Sequence, residues 1–201
     1  MIRCVISDLG KVIIFFDNDI FFRKIANYSP FSMKEIAALT SAHFDLVEYF
    51  DKGKMTPQEF YRQVTKAFKA KIDYDTFYSI YSDVFSPNPP VLEVMKRLKK
   101  NYKILLLSNT DVVRFGFIKK KFPKILIFNE YVLSYEVGLM KPDPGIYQEA
   151  LKKAGAEARE CVFIDDIKEN VEAAMRLGIH GIQMEPETDL EAVLLGMGLS
   201  F

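Results

Sequence analysis

Short apolar runs alternate with amphipathic segments along most of this chain. The first run covers residues 2–6, ends abruptly at Ser7-Asp8, and resumes at Val12-Ile13-Ile14. Short β-branched runs of this kind are typical of strands that are buried on both faces. Further strands are expected at residues 102–107, 125–128, 131–133, 161–164 and 179–184, with helices between them. This alternation predicts an α/β fold built on a doubly wound parallel sheet.

The stretch from about residue 18 to residue 85 has a helical pattern of apolar residues and lacks the alternation of strands and helices. Ser32-x-x-Glu35 and Thr56-x-x-Glu59 have the form of capping boxes, and apolar residues between them recur at helical spacing. The pattern predicts three to five helices and no strand, with the many Phe and Tyr side chains packing a core rather than lining a pocket. We therefore assign residues 1–15 and 87–201 to an α/β core domain and residues 16–86 to an inserted helical cap.

Composition and charge narrow the classes of protein that this chain can represent. The 27 Lys and Arg residues balance the 27 Asp and Glu residues, so bulk charge favours neither a nucleic-acid partner nor a membrane partner. No apolar run approaches the ~18–20 residues that span a bilayer. The first strand starts within two residues of Met1, so no signal peptide is expected. Cys4 and Cys161 lie in apolar runs, and we expect buried, reduced thiols in a cytoplasmic protein.

Polar residues stand at the ends of three predicted strands. They are Asp8, Ser108-Asn109 and Asp165-Asp166, and Lys141 precedes a helix that begins near Asp143. Asp8 by itself could simply cap the following turn, but the carboxyl ends of parallel strands share one edge of the sheet. Carboxylates crowded there need a cation, and Mg²⁺ prefers carboxylate and phosphate oxygens. The pattern predicts a phosphoryl-transfer site in which a carboxylate attacks and nearby cations and amides hold the phosphoryl oxygens.

Four motifs in this chain resemble those of the haloacid dehalogenase superfamily. VISDLGKVI, LLLSNT, GLMKPDPGIY and FIDDIKENVEAA match the four motifs in order, and the resemblance covers essentially the whole chain. The cap segment DKGKMTPQEF is similar to the branch that contains sugar-phosphate phosphatases and the phosphatase domains of bifunctional epoxide hydrolases. The resemblance implies a Rossmann-like core with a helical cap, and hydrolysis of small phosphorylated metabolites, with sugar phosphates as candidate substrates.

The resemblance also implies a role for each matched residue in phosphoryl transfer. Asp8 would be the nucleophile that forms an aspartyl-phosphate. Ser108 and Asn109 would bind the phosphoryl group, and Lys141 would neutralise Asp8 and the phosphate. The peptide bond before Pro142 is cis in several relatives, and the same is expected here.

For the metal, the resemblance implies Mg²⁺ held by Asp8, by Asp166 and by the backbone carbonyl of Gly10. Asp165 would lie next to these ligands without binding the ion directly, and Asn170 would orient Asp166. It also implies that Cys4 and Cys161, each four residues before an acid, are unbonded neighbours on adjacent strands.

Two positions depart from the family pattern. Gly10 stands where most phosphatases of the superfamily carry an acid–base Asp, and Lys11, which replaces Gly or Asn, is expected to point to solvent rather than to phosphate. Dehalogenases also lack that Asp, so a metal-free haloacid dehalogenase is an alternative, although Asp165-Asp166 favours a metal enzyme. A catalytically weak relative that binds a phosphorylated ligand is a further alternative.

Overall fold

Seven strands and eleven helices make up the fold, which the computed structural model describes over residues 1–201. The strands are β1 (Cys4–Ser7), β2 (Ile14–Phe16), β3 (Phe85–Pro87), β4 (Lys103–Ser108), β5 (Glu130–Leu133), β6 (Cys161–Asp165) and β7 (His180–Gln183). The helices are α1 (Asn18–Ala26), α2 (Met33–Ala42), α3 (Phe44–Asp51), α4 (Pro57–Ala67), α5 (Tyr74–Ser82), α6 (Pro89–Leu98), α7 (Val112–Lys121), α8 (Ser134–Val137), α9 (Pro144–Ala154), α10 (Lys168–Arg176) and α11 (Leu190–Gly196). None of these helices combines the length and the hydropathy needed to cross a bilayer.

Five strands form one parallel sheet in the order β5-β4-β1-β6-β7. Successive side chains alternate between its faces, so Val5 packs in one hydrophobic cluster while Cys4 and Ile6 pack in another. Residues of α6, α7 and α11 cover the first face, and residues of α9 and α10 cover the second. Helices on both faces of a parallel sheet confirm the predicted doubly wound α/β fold.

The central strand β1 lies where the direction of the chain through the sheet reverses. After β1 the chain adds β4 and β5 on one side, and it then crosses over to add β6 and β7 on the other. Crossovers leave in opposite directions on the two sides of such a strand, which opens a crevice at its carboxyl end. Asp8, directly after β1, therefore lies at the point of the sheet where a ligand fits best.

The five helices α1–α5 enclose a hydrophobic cluster of their own, with twelve buried residues. Its centre is aromatic, and the rings of Phe50 and Phe60 stack with their centroids 4.2 Å apart. Both predicted capping boxes form, at the starts of α2 and α4. On the strength of this separate core, we propose residues 16–86 as the cap domain.

A two-stranded antiparallel sheet joins the cap to the core, and it was not expected. β2 pairs with β3 so that Ile14 faces Pro87 and Phe16 faces Phe85. The prediction of no strand up to residue 85 is therefore wrong at its last residue. The two chain segments that cross between the domains run side by side here, and Pro87 is tolerated because this small sheet has only edge strands.

The strand predicted at residues 125–128 does not form. A 3₁₀ turn covers Pro123–Ile125 instead, and β5 begins only at Glu130. The side-chain oxygen of Asn129 accepts the backbone N–H of Ile104 at 2.9 Å, so this side chain takes the hydrogen bond that a longer strand would have made. Ile125 and Phe128 are apolar because they are buried in the core.

The two cysteines are paired in register across the sheet without forming a bond. Cys4 of β1 lies opposite Cys161 of β6, and both thiols are free and buried. This arrangement confirms the expectation of two unbonded neighbours on adjacent strands.

Candidate active site

Asp8 and Lys141 form a buried ion pair at the carboxyl edge of the sheet. The backbone N–H of Asp8 donates to the carbonyl of Ile164 at 2.8 Å, so the sheet itself fixes the position of this residue. Nζ of Lys141 lies 2.7 Å from Oδ1 of Asp8. Asp8 is 7% exposed and Lys141 is 5% exposed. Opposite charges in contact interact strongly where so little water reaches them.

Asp165, the last residue of β6, is the second partner of Lys141. Nζ of the lysine lies 2.6 Å from Oδ2, while Oδ1 accepts the backbone N–H of Ile167 at 2.8 Å and Nδ2 of Asn170 at 3.1 Å. The prediction that Asn170 orients Asp166 is therefore wrong. Asn170 lies on the buried face of α10, which turns its amide toward the sheet and hence toward Asp165. The protein thus occupies both oxygens of Asp165.

Asp166 faces the open side of the site. Its side chain is 18% exposed, against 0% for that of Asp165. Nζ of Lys11 lies 3.6 Å from Oδ2 of Asp166 and 5.8 Å from the centre of the Phe16 ring. The Lys11 side chain is 57% exposed, in agreement with the expectation that it points to solvent, but its ammonium is also attracted by this carboxylate and this ring face.

The three acids form a cluster that could hold a metal ion. Carboxylate oxygens of Asp8, Asp165 and Asp166 lie within 4.8 Å of one another. Burial raises the pKa of Asp8 to about 7; the charge of Lys141 opposes this rise and that of Asp165 adds to it. Burial, and then the charge of Asp165, also raise the pKa of Asp166. A divalent cation with oxygen ligands would relieve this crowding.

The charge of Lys141 is held in place by the two acids. Burial disfavours the charged ammonium, but the charges of Asp8 and Asp165 outweigh burial, and the pKa of Lys141 is raised above its usual value. The ammonium also lies 5.5 Å from the centre of the Phe163 ring. The site therefore contains a fixed cation next to the carboxylate that ends the central strand.

Asn109 positions the main chain of Lys141. Its Oδ1 accepts the backbone N–H of Lys141 at 2.8 Å, and its Nδ2 donates to the carbonyl of the same residue at 2.9 Å. The Lys141-Pro142 peptide bond is cis, as expected. Ser108 ends β4 beside Asn109 and is 2% exposed. Phosphate binding by Ser108 and Asn109 stays a prediction, and the second N–H of the Asn109 amide is left for it.

Gly10 leaves a gap in the polar lining of the site. A Cβ atom at this position would lie 3.0 Å from Cε1 of Phe16, so the edge of an aromatic ring borders the place where a side chain would start. Because residue 10 is a glycine, it has no side chain that could give a proton to a leaving group, and the ring of Phe16 makes this corner apolar.

A model of the haloacid dehalogenase-like hydrolase family matches residues 2–178 of the chain. The chain belongs to this family. This hydrolase is 23% identical to sesquiterpene phosphatase astK of Aspergillus oryzae over 155 residues, which cover 76% of this chain and 78% of that enzyme. It is also 23% identical to D-ribitol-5-phosphate phosphatase of Bacteroides thetaiotaomicron over 198 residues, 94% of this chain and 95% of that enzyme. Two further curated relatives are much longer, and the chain spans 36% and 14% of their lengths.

A solved structure has the same fold as this hydrolase. A HAD family enzyme of Bacteroides thetaiotaomicron, crystallised with magnesium and inorganic phosphate, superposes with a TM-score of 0.83 at 23% identity. The superposition covers 96% of this chain and 99% of that one. The Rossmann-like core and its inserted helices are therefore shared.

Sequence reasoning missed one residue that supports the site of this hydrolase. The hydroxyl of Tyr147 donates to the carbonyl of Asn170 at 2.9 Å, and the side chain is completely buried in α9. Tyr147 thereby fixes Asn170, which in turn holds Asp165. The only signal in the sequence is a tyrosine on the buried face of a helix, where phenylalanine would pack as well.

Proposed function

We propose that this hydrolase is a Mg²⁺-dependent phosphatase that transfers the phosphoryl group of a small phosphorylated substrate to Asp8 and then to water. The observation that carries the proposal is the ammonium of Lys141, which lies 2.7 Å from Asp8 and 2.6 Å from Asp165. A phosphate dianion that approaches a carboxylate nucleophile needs cations beside it. The curated relatives named as phosphatases and the magnesium–phosphate complex of a structural neighbour support the same activity.

Asp8, Asp166 and the backbone carbonyl of Gly10 would hold the Mg²⁺ ion. These are hard oxygen donors of the kind that Mg²⁺ prefers, and Asp166 is the more exposed of the two adjacent acids. Asp165 would not be a direct ligand, because Lys141, Asn170 and the backbone of Ile167 already occupy its oxygens. When bound, the ion would supply positive charge that offsets the charge of the phosphoryl oxygens.

The residues of the chain would perform the reaction in two displacements. One carboxylate oxygen of Asp8 attacks phosphorus, and the bond from phosphorus to the alcohol oxygen breaks. Lys141 and Ser108 stabilise the phosphoryl oxygens during the transfer, and the departing alkoxide takes its proton from water. A second water then attacks phosphorus, the bond from phosphorus to the Asp8 oxygen breaks, and the proton that this water loses neutralises the hydroxide left by the first water. Inorganic phosphate is released and the Asp8 carboxylate is restored. One water is consumed overall for each ester that is cleaved.

Hydrolysis of p-nitrophenyl phosphate, with and without a chelator, tests this proposal. We expect turnover that requires Mg²⁺ and that falls at least 1,000-fold (about 4 kcal/mol in the barrier) in Asp8→Asn. Asp45→Asn, at an exposed position of α3, is the matched control and should retain full activity. Turnover of Asp8→Asn above a tenth of the wild-type rate would contradict the mechanism. Metal-free hydrolysis of a 2-halocarboxylate without phosphatase activity would instead support the dehalogenase alternative.

A further inference from the structure

Lys11 has a backbone conformation that is unusual for its residue type. Its φ angle is 55°, which lies in the left-handed region that favours glycine. Backbone hydrogen bonds fix the turn that holds it there, because the N–H of Lys11 donates to the carbonyl of Ile14 at 2.7 Å and the N–H of Ile14 donates to the carbonyl of Leu9 at 3.0 Å. A long side chain that is kept at such a position, against its steric preference, points to a function for that side chain.

The ammonium of Lys11 is the only cation that pairs with Asp166. Nζ lies 3.6 Å from Oδ2 of this carboxylate. Lys141, the other cation of the site, pairs with Asp8 and Asp165 instead, at 2.7 and 2.6 Å. Burial, and then the charge of Asp165, raise the pKa of Asp166, and the charge of Lys11 opposes that rise. Three acids are therefore matched by two ammonium groups, and Asp166 depends on Lys11 for its counter-charge.

The ion pair between Lys11 and Asp166 is of a kind that a stronger cation can displace. The Lys11 side chain is 57% exposed, so water can solvate its ammonium once it leaves the carboxylate. Its other neighbour is the ring of Phe16, whose centre lies 5.8 Å from Nζ and whose face attracts a cation. The pair at Lys141 differs in this respect, because the side chain of that lysine is 2% exposed. Of the two ammonium groups, only that of Lys11 is free to move away.

We infer that Lys11 is a built-in competitor of Mg²⁺ for Asp166, and that it lowers the affinity of this hydrolase for its metal. This inference rests on the proposed function, in which Asp166 is a metal ligand. The ammonium offsets the charge of Asp166 in the metal-free protein, and the carboxylate must exchange it for Mg²⁺ when the metal binds. Two cations at one carboxylate repel each other even in water, so the charge of Lys11 opposes metal binding.

Binding of Mg²⁺ to the metal-free protein, measured by calorimetry, tests the inference without any turnover. We expect Lys11→Met, which keeps a long side chain but removes its charge, to bind Mg²⁺ roughly three- to tenfold more tightly at low salt. Because salt screens exposed charges, this gain should fall below about twofold at an ionic strength of about 1 M. Lys11→Arg keeps the charge, and its Mg²⁺ affinity should stay within about twofold of that of the wild type.

Lys96→Met is the matched control for the loss of one exposed ion pair. Nζ of Lys96 lies 3.5 Å from Glu93 on α6, outside the site, and its removal should leave the Mg²⁺ affinity unchanged. Lys11→Gly is a second neutral variant, since glycine suits the left-handed backbone, and it should show the same gain if Lys11→Met does not fold.

Direct binding and turnover together separate this inference from the proposed function. Tighter Mg²⁺ binding by the neutral variants at position 11 supports competition, even if no phosphate ester is hydrolysed and the proposed function fails. Unchanged or weaker Mg²⁺ binding by these variants would overturn the inference, even where they hydrolyse p-nitrophenyl phosphate with Mg²⁺ and the phosphatase stands. An equal gain in Lys96→Met would also overturn it, because the net charge of the protein would then account for the effect.

Discussion

The hydroxyl of Tyr81, in the last helix of the cap, donates to Oδ2 of Asp111 in the core at 2.9 Å. Asp111 is completely buried, and its other oxygen accepts two backbone N–H groups at the start of α7. Arg114, one turn further along α7, donates to Asn18 in the first helix of the cap. Both ends of the cap are therefore tied to the helix that follows Asn109, so the cap and the phosphoryl site share one anchor.

Removing the Tyr81 hydroxyl should weaken this anchor. Tyr81→Phe leaves Oδ2 of a buried carboxylate without its donor, which is expected to lower the free energy of unfolding by about 1–3 kcal/mol. Chemical denaturation measures this loss directly. Tyr74→Phe, a partly exposed tyrosine of the same helix, is the control and should change stability by less than about 0.5 kcal/mol. Equal losses of unfolding free energy in the two variants would show that the hydrogen bond from Tyr81 to Asp111 does not stabilise the protein.

Replacing Asp166 is predicted to weaken Mg²⁺ binding more, whereas replacing Asp165 is predicted to cost more stability. Asp166→Asn should weaken the apparent affinity for Mg²⁺ by more than about 100-fold, whereas Asp165→Asn should fall within the roughly 10–100-fold range of residues that support a ligand. Asp165→Asn should instead be the less stable variant, by about 3–5 kcal/mol, because it breaks a buried ion pair with Lys141. Magnesium titration of activity and thermal unfolding of the metal-free protein measure the two effects. Reversal of the metal order would overturn the proposed ligands.

A pH-dependent stability is predicted for Asp51, at the end of α3. Burial, and then the charge of Asp111, raise the pKa of this carboxyl from 3.8 to about 7. Between about pH 4 and pH 7 the native state keeps a proton that the unfolded chain releases, so the stability falls as pH rises through this window and stays lower above it. Asp51→Asn should therefore stabilise the protein at pH 8 by about 1 kcal/mol, roughly 2–4 °C in Tm, and have little effect at pH 4.

The matched control for Asp51 is Asp45→Asn, an exposed acid on the same helix. We expect the control to change Tm by similar small amounts at both pH values. A shift for Asp51→Asn that is the same at pH 4 and at pH 8 would contradict the raised pKa.

The positions of the site residues could be predicted from the sequence because each one interrupts an apolar run. Asp8, Ser108 and Asp165 all follow buried strand residues, and a parallel sheet necessarily brings the carboxyl ends of its strands to one edge. The register of Cys4 opposite Cys161 could be predicted for the same reason. These relationships depend on topology, which the spacing of hydrophobic residues encodes.

The partners of the polar side chains could not be predicted, since they depend on contacts between distant segments. The amide of Asn109 binds the main chain of Lys141, 32 residues away. Asn170 donates to Asp165 and not to Asp166, because it lies on the buried face of α10. The pairing of β2 with β3 joins residues about seventy positions apart. Local propensity carries no information about such pairs.

The ring of Phe16 beside Gly10 limits which substitution can test the absence of an acid–base Asp at position 10. A side chain at this position would press on the ring of Phe16, 3.0 Å from the first added atom. The backbone is not the obstacle, because Gly10 is not among the glycines with positive φ. Gly10→Asp therefore needs the ring to move, and combining it with Phe16→Leu provides the space.

We predict that Gly10→Asp with Phe16→Leu raises kcat/KM for alkyl phosphates relative to p-nitrophenyl phosphate. An alkoxide leaving group needs a proton, and general acid catalysis is worth roughly 10²–10⁴-fold there, whereas nitrophenolate leaves with little help. The expected change in the ratio of the two constants is at least about tenfold, measured against Phe16→Leu alone as the matched control. An unchanged ratio in a folded double variant would mean that protonation already has another source. Lys11, whose ammonium lies 3.6 Å from Asp166, would then be the first residue to replace.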